Sequence, residues 1–141
     1  MRRSLTLLVT VVVLIGLMAA PAAADEPTVF GPFTDVFPDT DPCTGFEMLV
    51  TINVTLYDHI GHNNNFVGRA DKTGTTSSGY VMVGGHDNFQ ANNNVVIGSF
   101  KDVWRDPDDG TKIQATGKFR IAGNSMFIDE FNLRCVGAPT I

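Results

Sequence analysis

Apolar and polar side chains alternate along residues 46–56, and this alternation limits the local structure most strongly. One face carries Phe46, Met48, Val50, Ile52, Val54 and Leu56, and the other carries Glu47, Leu49, Thr51, Asn53 and Thr55. Side chains two apart share a face in a β-strand, whereas a helix repeats every 3.6 residues. The segment therefore predicts a half-buried strand.

Two later segments repeat this period, at residues 112–121 and 127–135. In the last one, Phe127, Asp129, Phe131, Leu133 and Cys135 share a face, so Cys135 is predicted on the apolar side. Weaker strand patterns cover residues 65–72, 79–84 and 95–104. Turn-forming residues separate the strands at 61–64, 84–88, 106–110 and 123–124, and no segment shows a helical period.

Short strands joined by hairpin turns predict an all-β fold, an antiparallel meander. We expect the meander to close into a small β-barrel, because closure would bring the first and last strands together. A β-sandwich is the alternative. Glycines at strand positions 68, 98 and 117 would relieve crowding where a small barrel curves.

The N-terminus has the pattern of a cleaved signal peptide at residues 1–24. Arg2 and Arg3 precede an uncharged apolar run, and small residues lead to a predicted cut after Ala24. A retained membrane anchor is the alternative, but the run is shorter than the roughly 20 residues that a spanning helix needs. We therefore expect a secreted, extracellular protein of bacterial type without a stable membrane anchor.

Cleavage would leave a markedly acidic protein of 117 residues, long enough for one domain. Losing Arg2 and Arg3, and no acidic residue, moves the net charge from −5 to −7. This balance argues against nucleic-acid binding. Residues 25–42 are acidic and proline-rich and predict an N-terminal arm that is irregular or pairs at a sheet edge, with a solvated tail as the alternative. Residues 43–141 form the predicted β domain.

The two cysteines, Cys43 and Cys135, are predicted to form a structural disulfide. Thiols pair in the oxidising compartment to which a signal peptide leads, and two cysteines allow one intramolecular connection. The cysteines lie near the two ends of the predicted domain. This placement favours a sheet whose ends meet.

The segments around these cysteines resemble a family of small secreted actinobacterial β-domain proteins. The resemblance rests on Asp41-Pro42-Cys43-Thr44-Gly45, preceded by Asp35-Val36, and on the closing Phe131-Asn132-Leu133-Arg134-Cys135-Val136-Gly137. It implies the same β domain and the same disulfide. It implies no activity.

Three histidines are the candidate metal ligands: His59, His62 and His86. Zinc needs three or four ligands in a tetrahedral array, so the turn after His59 would have to fold one imidazole back towards the other. Solvated turn histidines are the simpler interpretation. The carboxylates of residues 106–110 suit Ca²⁺, although the same residues make an ordinary hairpin turn. We expect no cofactor.

No catalytic residues are assigned, because no serine lies in a nucleophile elbow and Asp129 and Glu130 point to opposite faces of a strand. Tyr57, Tyr80 and Trp104 are the candidate ligand-binding residues, since each is an aromatic side chain with a polar group; packing is their alternative role. The ligand would be a small apolar molecule or a glycan.

The sequence favours a secreted, monomeric, non-catalytic binding domain. The first alternative is a small barrel enzyme of the lyase or cyclase type acting on an apolar substrate. It predicts polar groups inside the barrel, for example Glu130, Asn132 or His86. The second alternative is a structural, envelope-associated protein.

Overall fold

The computed structural model describes residues 26–60, 65–92 and 94–137. Within these ranges the chain forms seven β-strands and no helix. The strands are β1 (Thr28–Thr40), β2 (Glu47–Ile60), β3 (Phe66–Thr76), β4 (Val81–Asn92), β5 (Val95–Arg105), β6 (Lys112–Ala122) and β7 (Ser125–Val136). The all-β prediction is confirmed. The predicted signal peptide lies outside the described residues.

The strands pair consecutively and antiparallel, in the order β1 to β7, so the predicted meander is correct. The predicted barrel closure is wrong, because β1 and β7 are the two edges of one open sheet. An odd number of antiparallel strands leaves the first and last parallel to one another, so closure would require a parallel ladder. Pro32 and Pro38 on β1 have no N–H to donate to such a ladder.

The Cys43–Cys135 disulfide is present and joins the two ends of this sheet. Cys43 follows β1, Cys135 lies on β7, and their Cα atoms are 5.1 Å apart. Seven flat strands would separate the edges by about 29 Å, at roughly 4.8 Å for each neighbouring pair. The sheet must therefore curl strongly, so that its edges meet at the disulfide without pairing along their length.

Curling gives the sheet an inner face that holds the hydrophobic core. Alternate residues of β2 supply its centre, and Leu56 is only 2% exposed. The buried apolar residues are Met48, Val50, Ile52, Val54, Leu56, Ala70, Tyr80, Met82, Phe89, Trp104, Ile113, Phe119 and Ile121. Partly buried side chains from β1 and β7, among them Phe33 and Leu133, pack against the same cluster. All seven strands therefore pack around a single hydrophobic core.

For two residues, Phe46 and Phe127, the predicted position on the apolar face is wrong. Phe46 precedes β2, directly after the positive-φ turn residue Gly45, and is 76% exposed. Phe127 lies opposite Arg120 on the outer face, because a bulge at Asp129 shifts the β6–β7 register. Strict alternation fails wherever a bulge inserts one extra residue.

Glycines on the inner face lie beneath aromatic rings. Gly117 is opposite Phe100, and Gly98 is opposite Phe119. A Cβ atom at Gly117 would overlap the Phe100 ring. The glycines therefore make room for the aromatic rings of neighbouring strands. This role is more specific than the general relief of crowding that the sequence predicted.

Candidate functional site

Three charged side chains meet inside the curled sheet, and we call them the buried charge cluster: Lys72 of β3, Asp87 of β4 and Asp102 of β5. Lys72 Nζ is 2.6 Å from Asp87 Oδ1 and 2.7 Å from Asp102 Oδ1. The side chains of Lys72 and Asp87 are 5% exposed, and that of Asp102 is 17% exposed. The Phe100 ring lies 5.8 Å from Lys72 Nζ. The cluster joins three adjacent strands.

The pKa values of all three residues in the cluster are raised. Burial raises the pKa of Asp87 to about 6, although Lys72 opposes the shift. Burial likewise raises the pKa of Asp102 against the effect of Lys72. Burial alone would lower the pKa of Lys72, but the carboxylates of Asp87 and Asp102 outweigh it and raise that pKa. Lys72 is therefore a firmly held cation.

A fourth buried charged residue, Asp58, lies near the far end of β2. It is 4% exposed, and its Oδ1 atom has no hydrogen-bond partner among the residues that the structure describes. Burial raises the pKa of Asp58 to about 6, and the neighbouring His59 opposes this only in part. Asp58 is opposite Gly68 in the ladder, where a Cβ atom would overlap the carboxylate.

The opposite face of the sheet carries two rows of polar side chains, which we call the outer strip. Each residue is the direct cross-strand partner of the next. One row is Arg69, Asn88, Ser99, Lys118 and Glu130; the other is Asp71, His86, Lys101, Thr116 and Asn132. His86 Nδ1 is 3.3 Å from Asp71 Oδ1, and Lys118 Nζ is 2.8 Å from Glu130 Oε1. The strip crosses five strands, from β3 to β7.

Two shallow grooves lie along the outer strip. The first, of about 350 Å³, lies between β3, β4 and β5 and includes Arg69, His86 and Lys101. The second, of about 430 Å³, lies between β5, β6 and β7 and includes Lys118 and Asn132. Ser99 and Phe100 border both grooves, so the two are adjacent.

The two candidate metal ligands within the described residues, His59 and His86, do not lie close together. His86 is on β4, and His59 is two strands away on β2, roughly 13 Å further along the strand direction. His62 lies outside the described residues. No group of three or more potential ligands occurs within residues 26–60, 65–92 and 94–137.

The candidate aromatic ligand-binding residues lie on two faces. Tyr80 and Trp104 belong to the buried core. Tyr57 extends the first row of the outer strip, because it is the cross-strand partner of Arg69. The Arg69 guanidinium lies 4.6 Å from the centre of the Tyr57 ring. Only Tyr57 therefore borders the grooved surface.

The acidic turn at residues 106–110 is held by hydrogen bonds within the turn. Asp106 Oδ1 accepts from the N–H of Asp108 at 2.8 Å, and Asp109 Oδ1 accepts from the N–H of Thr111 at 2.7 Å. The Thr111 bonds lower the pKa of Asp109. These contacts are those of a capped hairpin turn.

The barrel-enzyme hypothesis expected inward-facing polar groups, and the structure has them at other positions. Glu130, Asn132 and His86 all lie on the outer strip, whereas Lys72, Asp87 and Asp102 face inward. A bulge between Met82 and Gly84 reverses the faces of β4, which turns His86 outward and Asp87 inward.

Comparison with family models, curated proteins and solved structures finds no match for this chain. The resemblance to small secreted actinobacterial proteins therefore stays a prediction. Among the described residues, no helix is long and apolar enough to cross a membrane. The disulfide is typical of a non-reducing compartment.

Proposed function

We propose that this chain is a secreted, non-catalytic binding domain that holds a hydroxyl-rich ligand, of the glycan class, along the outer strip. The observation that carries the proposal is the adjacent pair of grooves, which together cross five strands on that face. The opposite face is filled by the hydrophobic core and the buried charge cluster.

The chemistry of the strip suits hydroxyl groups. Guanidinium, ammonium, amide and hydroxyl groups donate hydrogen bonds, while carboxylate and amide oxygens accept them, and both kinds occur in each row. Positive and negative residues are interspersed, which disfavours a ligand of high charge. Tyr57 adds an aromatic ring on β2, next to the β3 end of the strip, where it packs against Arg69.

Retention on polysaccharides tests this proposal. The oxidised protein of residues 25–141 is incubated with insoluble cell-wall polysaccharides and with an oligosaccharide array. We expect retention on at least one polysaccharide, and we expect His86→Ala combined with Lys101→Ala to weaken it at least tenfold. Lys112→Ala is the matched control, because Lys112 is exposed on β6 but lies outside both grooves.

Two results would overturn the proposal. One is the absence of retention on every glycan by the correctly folded protein. The other is retention that His86→Ala with Lys101→Ala leaves unchanged, because binding would then involve another surface.

The buried charge cluster favours a second candidate function, a small enzyme acting on an apolar substrate. Lys72 lies beside the Phe100 ring on the inner face. A substrate would have to reach the Lys72 amine from within the curled sheet, past that ring. Acetylation of the native protein, followed by peptide mass spectrometry, tests access: an enzyme predicts modification of Lys72, whereas complete protection excludes this route.

A further inference from the structure

The last strand, β7, has an unpaired edge. It pairs with β6 on one side only, and no described strand pairs with its other side. β1, the opposite edge of the sheet, approaches it at the disulfide but does not run alongside it. An unpaired edge presents backbone N–H and C=O groups that can pair with another chain.

The two sheet edges differ in their protection. β1 carries Pro32 and Pro38, together with a register shift between Phe30 and Phe33. Proline and bulges are common means of blocking an edge. β7 has no proline, and its only register shift lies at Asp129, so residues 130–136 form a regular edge. Of the two edges, β7 is the one suited to pairing.

This regular part of β7 also exposes apolar surface. Phe131 faces inward and packs beside Phe100, with 6.2 Å between ring centres, yet it is 46% exposed. Leu133, two residues on, is partly buried on the same face. An added strand would cover the exposed part of Phe131 while pairing the free backbone.

The charges of β7 select a second copy of the same strand as that partner. In an antiparallel pair centred on Asn132, Glu130 of each copy lies opposite Arg134 of the other, and Phe131 lies opposite Leu133. In this arrangement the inner faces of the two sheets lie on the same side of the combined sheet. We propose that residues 130–134 form a two-fold β-strand interface between two copies of this chain.

Neighbouring registers lose this match. Centring on Phe131 places Glu130 opposite Asn132, and centring on Leu133 places Arg134 opposite Asn132. The existing contacts of the charged residues, Glu130 with Lys118 and Arg134 with Gln114, lie towards β6. The disulfide at Cys135 keeps the interface short, because Cys43 lies close to that end of the edge. The dimer is therefore weak and reversible, and it differs from the monomer that the sequence predicted.

Sedimentation of complementary charge variants tests the interface. The oxidised protein of residues 25–141 is expected to show a monomer–dimer equilibrium between micromolar and millimolar concentrations. Glu130→Arg and Arg134→Glu place like charges opposite each other, so each variant alone is expected to be monomeric. Mixed together, the two variants restore opposite charges in every pair and are expected to form a heterodimer. Arg105→Glu is the control, since Arg105 is exposed on β5, which β6 separates from β7.

Crosslinking gives a second readout that depends on register. Residues at the two-fold axis of an antiparallel pair have Cβ atoms about 5 Å apart, within reach of a disulfide after small adjustments. Asn132→Cys is therefore expected to form a disulfide-linked dimer under mild oxidation, whereas Lys112→Cys is not. Circular dichroism confirms that each variant is folded.

Three results would overturn the proposal: a parent protein that stays monomeric at millimolar concentration, charge variants that dimerise alone as well as the parent does, or an Asn132→Cys variant that crosslinks no faster than Lys112→Cys. Dimerisation of the parent with no complementation between the charge variants would reject this register. None of these measurements depends on glycan binding, so the interface can fail while the proposed function stands.

Discussion

The Nζ atom of Lys72 lies 2.6 Å from Oδ1 of Asp87, and both side chains are 5% exposed inside a curled β-sheet. Asp102 completes the contact from the next strand. Charges this deep are tolerated only when they are paired, because the loss of water around an isolated ion is expensive in free energy. The stability of the sheet therefore depends on keeping the cluster complete.

Removing the cation should destabilise the protein severely. Lys72→Met leaves Asp87 and Asp102 buried together without a counterion, so we expect the free energy of unfolding at pH 7 to fall by about 3–5 kcal/mol. Urea denaturation measures the change. Lys112→Met, at an exposed position, should cost less than about 0.5 kcal/mol. Equal stability of the Lys72→Met variant and the parent would show that the ion pairs do not support the fold.

Asp58 should make the protein less stable as the pH rises. Its pKa is about 6 in the folded state against 3.8 for the ordinary group, so the folded state holds the proton more tightly. The stabilisation is fully present below pH 3.8 and is lost as the pH rises through 6. We expect Asp58→Asn to stabilise the protein at pH 7 by about 1–3 kcal/mol and to give no gain near pH 3.5.

Urea denaturation at both pH values checks the role of Asp58. Asp108→Asn, in the exposed turn after β5, is the matched control and should change neither value by more than about 0.5 kcal/mol. A gain for Asp58→Asn that is the same at both pH values would contradict a titration effect.

Gly117 should not tolerate a methyl group. Gly117→Ala drives a Cβ atom into the Phe100 ring, and we expect a loss of about 1–3 kcal/mol from overpacking. Gly84→Ala is the control, because the nearest atom to a Cβ there is 4.0 Å away, at Val103, and the backbone φ is not in the left-handed region. Thermal unfolding of the two variants measures the difference, and equal melting temperatures would refute the close Gly–Phe contact.

Removing the disulfide should lower stability by about 4–5 kcal/mol in the chain-entropy description, because the closed loop spans 92 residues. Cys43→Ala with Cys135→Ala tests this in urea. Hydrogen exchange should quicken first in β1 and β7, the two strands whose ends the bond fixes. A uniform change across all seven strands would show that the bond acts on the whole fold instead.

Much of the fold could be predicted from period-two patterns. β6 shows why: Ile113, Phe119 and Ile121 are buried at the positions that alternation predicts. Closure could not be predicted, since alternation reports which face is buried and not whether distant edges pair. Phe127 was predicted on the wrong face because no residue pattern in the sequence indicates the bulge at Asp129.

The buried charges were harder to predict than the strands. Lys72 and Asp102 share their faces with Ala70 and Trp104, so their positions in the alternation were a usable signal. Asp87 gave none, because residues 84–88 were predicted as a turn, whereas they lie within β4 after a bulge that reverses its faces. The outer strip depends on register across five strands, which one sequence does not specify. Charged residues are also ordinarily exposed, so a sequence gives little reason to place them inside.

The single covalent bond between Cys43 and Cys135 also determines what proteolysis can do. Every turn from the β2–β3 connection to the β6–β7 turn lies between the two cysteines. A protease that cuts any one of them leaves two fragments joined through sulfur, which stay paired along one strand ladder and packed around the same core. The cleaved protein would keep its full mass on a non-reducing gel and separate into pieces only after reduction. In a compartment rich in proteases, one broken peptide bond would not release a strand.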